Sequence, residues 1–125
     1  MKVVFVQGPT ATGKSGLALE LAQRVGGAIV NCDSIQIYQG LVIGSAFPSE
    51  SDFKLVPHLL YGVIPVGETI TTGQYRRLFF KILKEIESQY EYVFVVGGSG
   101  FWFQALEKGM YEVPELSESQ KQEIV

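Results

Sequence analysis

Eight consecutive residues near the start of the chain, Gly8-Pro9-Thr10-Ala11-Thr12-Gly13-Lys14-Ser15, have the types and spacing of a phosphate-binding loop. Its glycines let the backbone curl so that successive N–H groups point at an anion. A helix starting at the end of the loop adds a partial charge of roughly +0.5 aimed at the same place. Lys14 supplies a mobile cation, and the Ser15 hydroxyl suits Mg2+. The segment predicts a site for a di- or triphosphate at the start of the first helix.

Two further residue groups bear on which phosphate chemistry this is. Asp33 follows the apolar run Ala28-Ile29-Val30, so it is expected at the carboxyl edge of a sheet, beside the phosphates. There it serves as a general base on an incoming nucleophile, as a metal ligand through water, or as the N-cap of the turn that follows. Gly97-Gly98-Ser99-Gly100 closes the apolar run Tyr92 to Val96 and faces the same edge. Ser99 is either a hydrogen-bond donor to a phosphate or bridging oxygen, or the serine cap of a tight turn. A Walker-type ATPase would place an acidic residue at the end of that late strand, where this chain has glycines.

These residues need elements to hold them. Val3 to Val6 reads as a strand buried on both faces, and Leu17, Ala18, Leu21, Ala22 and Val25 as a helix stopped by Gly26-Gly27. Ala28 to Asn31 is a second strand. Residues 36–51 are expected to be a long surface loop with one helical turn, followed by a short strand somewhere between Leu55 and Val66. Thr71-Thr72 caps a helix whose apolar stripe is Tyr75, Leu78, Phe79, Ile82, Leu83 and Ile86, with Arg76, Arg77, Lys81, Lys84 and Glu87 opposite. A last helix runs through Leu106 to a stop at Gly109, and the polar tail after Pro114 predicts another helix from Ser117 to the final residues. The alternation predicts an α/β open parallel sheet with flanking helices, of the P-loop NTPase kind, in one domain over 1–125.

Composition narrows the classes. The 125 residues are 46% hydrophobic and 18% charged, an ordinary globular balance. A net charge of −3 gives no hint of a nucleic-acid partner and counts mildly against RNA unless a basic part of the protein is missing. Cys32 is the single cysteine, which excludes an internal disulfide and a cysteine metal cage. No apolar run is long enough for a signal peptide or a membrane span, so a reduced, cytoplasmic protein is expected.

Taken together, three segments resemble the tRNA dimethylallyltransferases, also called tRNA isopentenyltransferases. They are the phosphate loop, the run Asp33-Ser34-Ile35-Gln36-Ile37-Tyr38 continuing to Ala46, and Val96-Gly97-Gly98-Ser99-Gly100-Phe101-Trp102. The resemblance extends over essentially the whole chain, through Val56-Pro57-His58, Tyr75-Arg76-Arg77 and Ala105 to Gly109. It implies transfer of a dimethylallyl group from dimethylallyl diphosphate to the exocyclic amine (N6) of an adenosine beside the tRNA anticodon. On that resemblance the loop Gly8, Pro9, Thr10, Ala11, Thr12, Gly13, Lys14 and Ser15 holds a prenyl diphosphate with Mg2+ on Ser15. Asp33 is then the general base, and Lys14 and Ser99 act on the leaving diphosphate. Asp33, Ser34, Ile35, Gln36, Ser99 and Lys121 meet the tRNA.

The chain departs from the family pattern at several places. Phe47 stands where a basic residue is usual, Leu59 where a second histidine is common, and Gly62 where an acidic residue follows. The lone His58 is read as structural. The family also carries a helical insertion that clasps the anticodon stem and further arginines for the diphosphate, which this chain lacks. A fragment or short form without its own RNA grip is therefore expected, inactive alone. The alternatives are an adenylate isopentenyltransferase, a small-molecule kinase, and a degenerate nucleotide-binding protein without activity.

Overall fold

The computed structural model describes residues 1–8, 14–40, 47–112 and 123–124. The side chains of Lys14, Ser15, 110–112 and 123–124 are outside that description. In order, the elements are β1 (Lys2–Gln7), α1 (Lys14–Val25), β2 (Ala28–Asn31), α2 (Glu50–Leu55), β3 (His58–Leu59), α3 (Thr72–Ile86), β4 (Tyr92–Gly97), α4 (Gly100–Glu112) and β5 (Glu123–Ile124). The five strands form one parallel sheet in the order β3-β2-β4-β1-β5.

The apolar strand runs are explained by burial on both faces. Along β1, Val3 and Phe5 join the layer beneath α3 and α4, and Val4 and Val6 join the layer beneath α1. β4 divides the same way, with Val93 and Val95 on one face and Phe94 and Val96 on the other. The α1 layer is thin because α1 presents Ala18 and Ala22 to the sheet. The opposite layer is thick, built on Tyr75, Phe79 and Leu83 of α3 and Trp102, Phe103 and Leu106 of α4.

The expected helix signals operate locally. At the end of α1 the Gly27 N–H closes on the Ala22 carbonyl at 2.8 Å. Thr71 caps α3 reciprocally with Gln74, its hydroxyl accepting the Gln74 N–H at 3.1 Å while Gln74 Oε1 accepts the Thr71 N–H at 2.8 Å. Tyr75, Phe79 and Leu83 are the fully buried part of the expected stripe, with Leu78, Ile82 and Ile86 partly buried beside them.

Three expectations about elements need correction. Gly109 does not end the last helix, which runs on to Glu112. A Cβ at Gly109 would lie 2.7 Å from the Phe80 ring and 2.8 Å from Arg76 Nε, so this glycine lets α4 pack closely on α3. Arg76 consequently lies against α4 rather than on a purely solvated face. The expected loop over 36–51 ends at α2, a six-residue helix opened by a Ser49–Asp52 capping box that buries no side chain. Without an apolar stripe, only that box marked it. Finally, Glu123–Ile124 is a strand pairing with Val4 and Phe5, not part of a helix. The second edge of β1 offers unpaired backbone groups, and pairing with them outweighs a weak local helix preference. Ser117, the expected helix start, lies outside the described residues.

Candidate active site at the carboxyl edge of the sheet

Because β1, β2 and β4 are adjacent and parallel, the segments leaving them emerge together at one edge. The Gly8 N–H donates to the Gly97 carbonyl at 3.3 Å, joining the start of the phosphate loop to the end of β4. The Cys32 N–H donates to the Val96 carbonyl at 2.7 Å, and the Ser99 N–H to the Cys32 carbonyl at 3.4 Å. Gly97 permits this crowding. A Cβ there would overlap the Cys32 carbonyl and stand 2.9 Å from the Asp33 nitrogen.

Asp33 opens the turn over Ser34 to Ile37. Its Oδ1 accepts the N–H groups of Ile35 at 2.8 Å and Gln36 at 3.2 Å. The carboxylate therefore caps the turn. Ser99 reaches the same turn from the other side, its hydroxyl accepting the Ser34 N–H at 2.8 Å and donating to Ser34 Oγ at 3.2 Å. Residues 65 positions apart in sequence thus share two hydrogen bonds.

Beneath Asp33 lies a residue that sequence reasoning passed over. Asn31 is fully buried, and it is bonded to both main-chain groups of Asp33. Its own carbonyl accepts the Tyr75 hydroxyl at 2.6 Å, and Tyr75 stacks on Trp102 with ring centroids 3.9 Å apart at 15°. The available signal was a polar residue ending an otherwise apolar buried strand. Tyr75 had been legible only as one member of the α3 stripe. Burial pushes the Cys32 thiol up to about 12, with the Tyr75 hydrogen bond opposing that shift and the Asp33 charge adding to it. Cys32 is thus a neutral packing residue. Tyr75 and Tyr61 are raised above the usual phenol range by burial, the nearby Asp33 charge adding to the shift on Tyr61.

His58 lies among aromatic rings. Its Nδ1 is 2.9 Å from the Val56 carbonyl, and its ring is 5.2 Å from Phe53 and 5.7 Å from Tyr61. Phe47 completes the cluster edge-to-face with Tyr61 at 5.8 Å. Phe47, His58 and Tyr61, with Gly16, Ala18 and Leu19 of α1, border a cavity of about 220 Å³. Neither Asp33 nor Ser99 lines it. The departures have packing partners here: Gly62 adopts φ +62° beside the Phe47 ring, and Leu59 packs against the larger core layer.

Of the sequence-predicted site residues, the structure brings together Gly8, Asp33, Ser34, Ile35, Gln36 and Ser99. Pro9, Thr10, Ala11, Thr12, Gly13 and Lys121 lie outside the described residues. Lys14 and Ser15 occupy the first turn of α1. Among the described residues no group of three or more histidine, cysteine, aspartate or glutamate side chains is placed to hold a metal, and no helix is long and apolar enough to cross a membrane.

A parallel sheet with the phosphate-loop sequence following β1, and with Asp33 and Ser99 meeting at its carboxyl edge, defines an α/β protein of the P-loop kind. Comparison with known proteins narrows the class. The family described as "IPPT: IPP transferase" matches residues 36–125, and the chain belongs to it. It is 56% identical over 111 residues to the tRNA dimethylallyltransferase of Bdellovibrio bacteriovorus, covering 89% of this chain and 36% of that protein. Against the same-named protein of Rhizobium etli, identity is 42% over 97% of this chain and 41% of the relative. The chain therefore spans about two fifths of the length of these relatives.

Among solved structures, the full-length tRNA isopentenylpyrophosphate transferase of Bacillus halodurans superposes with a TM-score of 0.79 at 29% identity, over 93% of this chain and 37% of the other. The Staphylococcus epidermidis enzyme gives 0.75 at 31% identity, over 83% and 34%. The fold and family expectations are thereby met.

Proposed function

We propose that residues 1–125 form the prenyl-diphosphate-binding core of a tRNA dimethylallyltransferase. On this reading it transfers the dimethylallyl group of dimethylallyl diphosphate to N6 of the adenosine beside the anticodon. The observation that carries the reading is the meeting of Asp33 and Ser99 on one turn, at the edge where the phosphate loop begins.

The chemistry follows from these positions. The adenine amine attacks the first carbon of the dimethylallyl group, and the C–O bond breaks with its electron pair leaving on the diphosphate. Asp33 takes the proton released from the amine, an exocyclic nitrogen that is otherwise a weak nucleophile. Lys14 and the N–H groups of the phosphate loop stabilise the charge building on the departing oxygen. Ser99 matches a family threonine near that oxygen. Its hydroxyl now donates to Ser34 Oγ, so assisting departure requires it to rotate from Ser34 to the ligand.

Mg2+ belongs to the same reading. Ser15, at the start of α1, suits a cation that takes most of its ligands from phosphate and water. When bound it would neutralise diphosphate charge beside Ser15. The half-exposed Ile35, with Ser34 and Gln36, presents the turn to the target nucleotide, and Lys121 is assigned to the tRNA backbone. A cytoplasmic site of action accompanies a tRNA substrate.

Calorimetry with Mg2+ tests the donor, comparing dimethylallyl diphosphate with ATP. Tighter binding of the prenyl diphosphate is expected, and a clear preference for ATP overturns the reading in favour of a kinase. Binding of neither leaves a degenerate nucleotide-binding fold. Transfer to AMP but not to an anticodon stem-loop would identify an adenylate isopentenyltransferase instead.

A further inference from the structure

We propose that Asn31 is a positioning residue for the candidate base, clamping the Asp33 turn to the turn after β3 and so fixing where the Asp33 carboxylate stands. Among the described residues, Asn31 is the one fully buried polar or charged side chain. Such a group is held only if its donors and acceptor are satisfied. Oδ1 accepts the Asp33 N–H at 3.0 Å, and Nδ2 donates to the carbonyls of Asp33 and Leu60, each at 3.0 Å. One acceptor and both donor hydrogens are used, which a carboxamide alone among residues of this size provides.

The consequence is geometric. A single side chain grips Asp33 by its N–H and its C=O, so the origin of the Asp33 side chain is fixed on both sides. The carboxylate is then oriented from above by the Ile35 and Gln36 amides. The third bond reaches Leu60, a non-glycine residue at φ +64°, in the left-handed region where a leucine persists only with outside support. Asn31 is itself anchored by the Tyr75 hydroxyl on its main-chain carbonyl. The candidate base, the segment after β3 and helix α3 therefore converge on one residue.

The proposal rests on Asp33 being the base, and the experiment separates the two. Asn31→Asp keeps the shape and the acceptor but loses both donors, while Asn31→Ala removes all three bonds. In the full chain, amide hydrogen exchange of Ile35 and Gln36 reports the Asp33 carboxylate they bond. Expected is a loss of protection at those two amides of about tenfold or more, with unchanged protection across β1 and β4. Unchanged Ile35 and Gln36 in either folded variant overturns the proposal, as does an equal loss throughout the sheet. Where dimethylallyl transfer is measured, Asn31→Asp should lower kcat about tenfold with the diphosphate KM within about twofold. An unaltered kcat overturns the proposal as well. Transfer is measured in a full-length context, where its absence counts against the functional reading while the amide result still decides about Asn31.

Discussion

Asp33 does two things with one carboxylate. Oδ1 caps the turn over Ser34 to Ile37, and the proposed chemistry falls to Oδ2. Asp33→Asn retains a carbonyl oxygen for the cap but can no longer take a proton. Transfer should therefore fall by about 10²-fold or more while diphosphate affinity stays nearly unchanged, read by a transfer assay beside calorimetry. A collapse of affinity would instead mark Asp33 as a metal ligand or structural residue. Cys32 yields a pH prediction. Its thiol ionises from the ordinary value of 9.0 when unfolded, whereas burial raises it to about 12 in the fold. Above pH 9 the unfolded state binds fewer protons, so stability falls as pH rises, and buried Tyr75 and partly buried Tyr61 act in the same direction. Melting temperatures followed from pH 8 upward should decline, and Cys32 should resist thiol reagents until the chain unfolds.

At the scale of elements, α3 does the most to hold the site in place. It fills the larger core layer with Tyr75, Phe79 and Leu83, and extends the Tyr75 hydroxyl to the end of β2. Phe79→Ala should cost about 3–5 kcal/mol in denaturant unfolding, and Thr71→Ala, which removes only the cap, about 1 kcal/mol. Much of this element was legible: its cap and stripe were both visible, since each is a local pattern. α2 was not, because six residues that bury nothing leave no stripe to read. Gly109 was misread for a related reason. A glycine looks alike in sequence whether it ends a helix or admits a neighbouring one, and only the proximity of Phe80 and Arg76 distinguishes the two.

Across the whole molecule, the sheet order puts β4 between β1 and β2, so the segments after three separate strands meet at one edge. A ligand bound there stabilises all three together. Saturating dimethylallyl diphosphate, at about 100 times its Kd, should add about 2.7 kcal/mol to the unfolding free energy, seen as a thermal shift that ATP at equal concentration does not match. The strands, the phosphate-loop motif and the resemblance carried by Asp33 and Gly97 to Gly100 were set by residue type and near spacing, because burial periodicity and turn chemistry act within a few residues. Tertiary structure alone decided that Ser99 bonds Ser34, that Asn31 grips Asp33 and Leu60, and that the tail pairs with β1. The Ser99–Ser34, Asn31–Leu60 and tail–β1 contacts join residues distant along the chain, and a hydrogen bond depends on where packing brings its donor and acceptor. The phosphate-loop motif was thus readable from eight letters, whereas the seating of the Asp33 carboxylate depended on the fold.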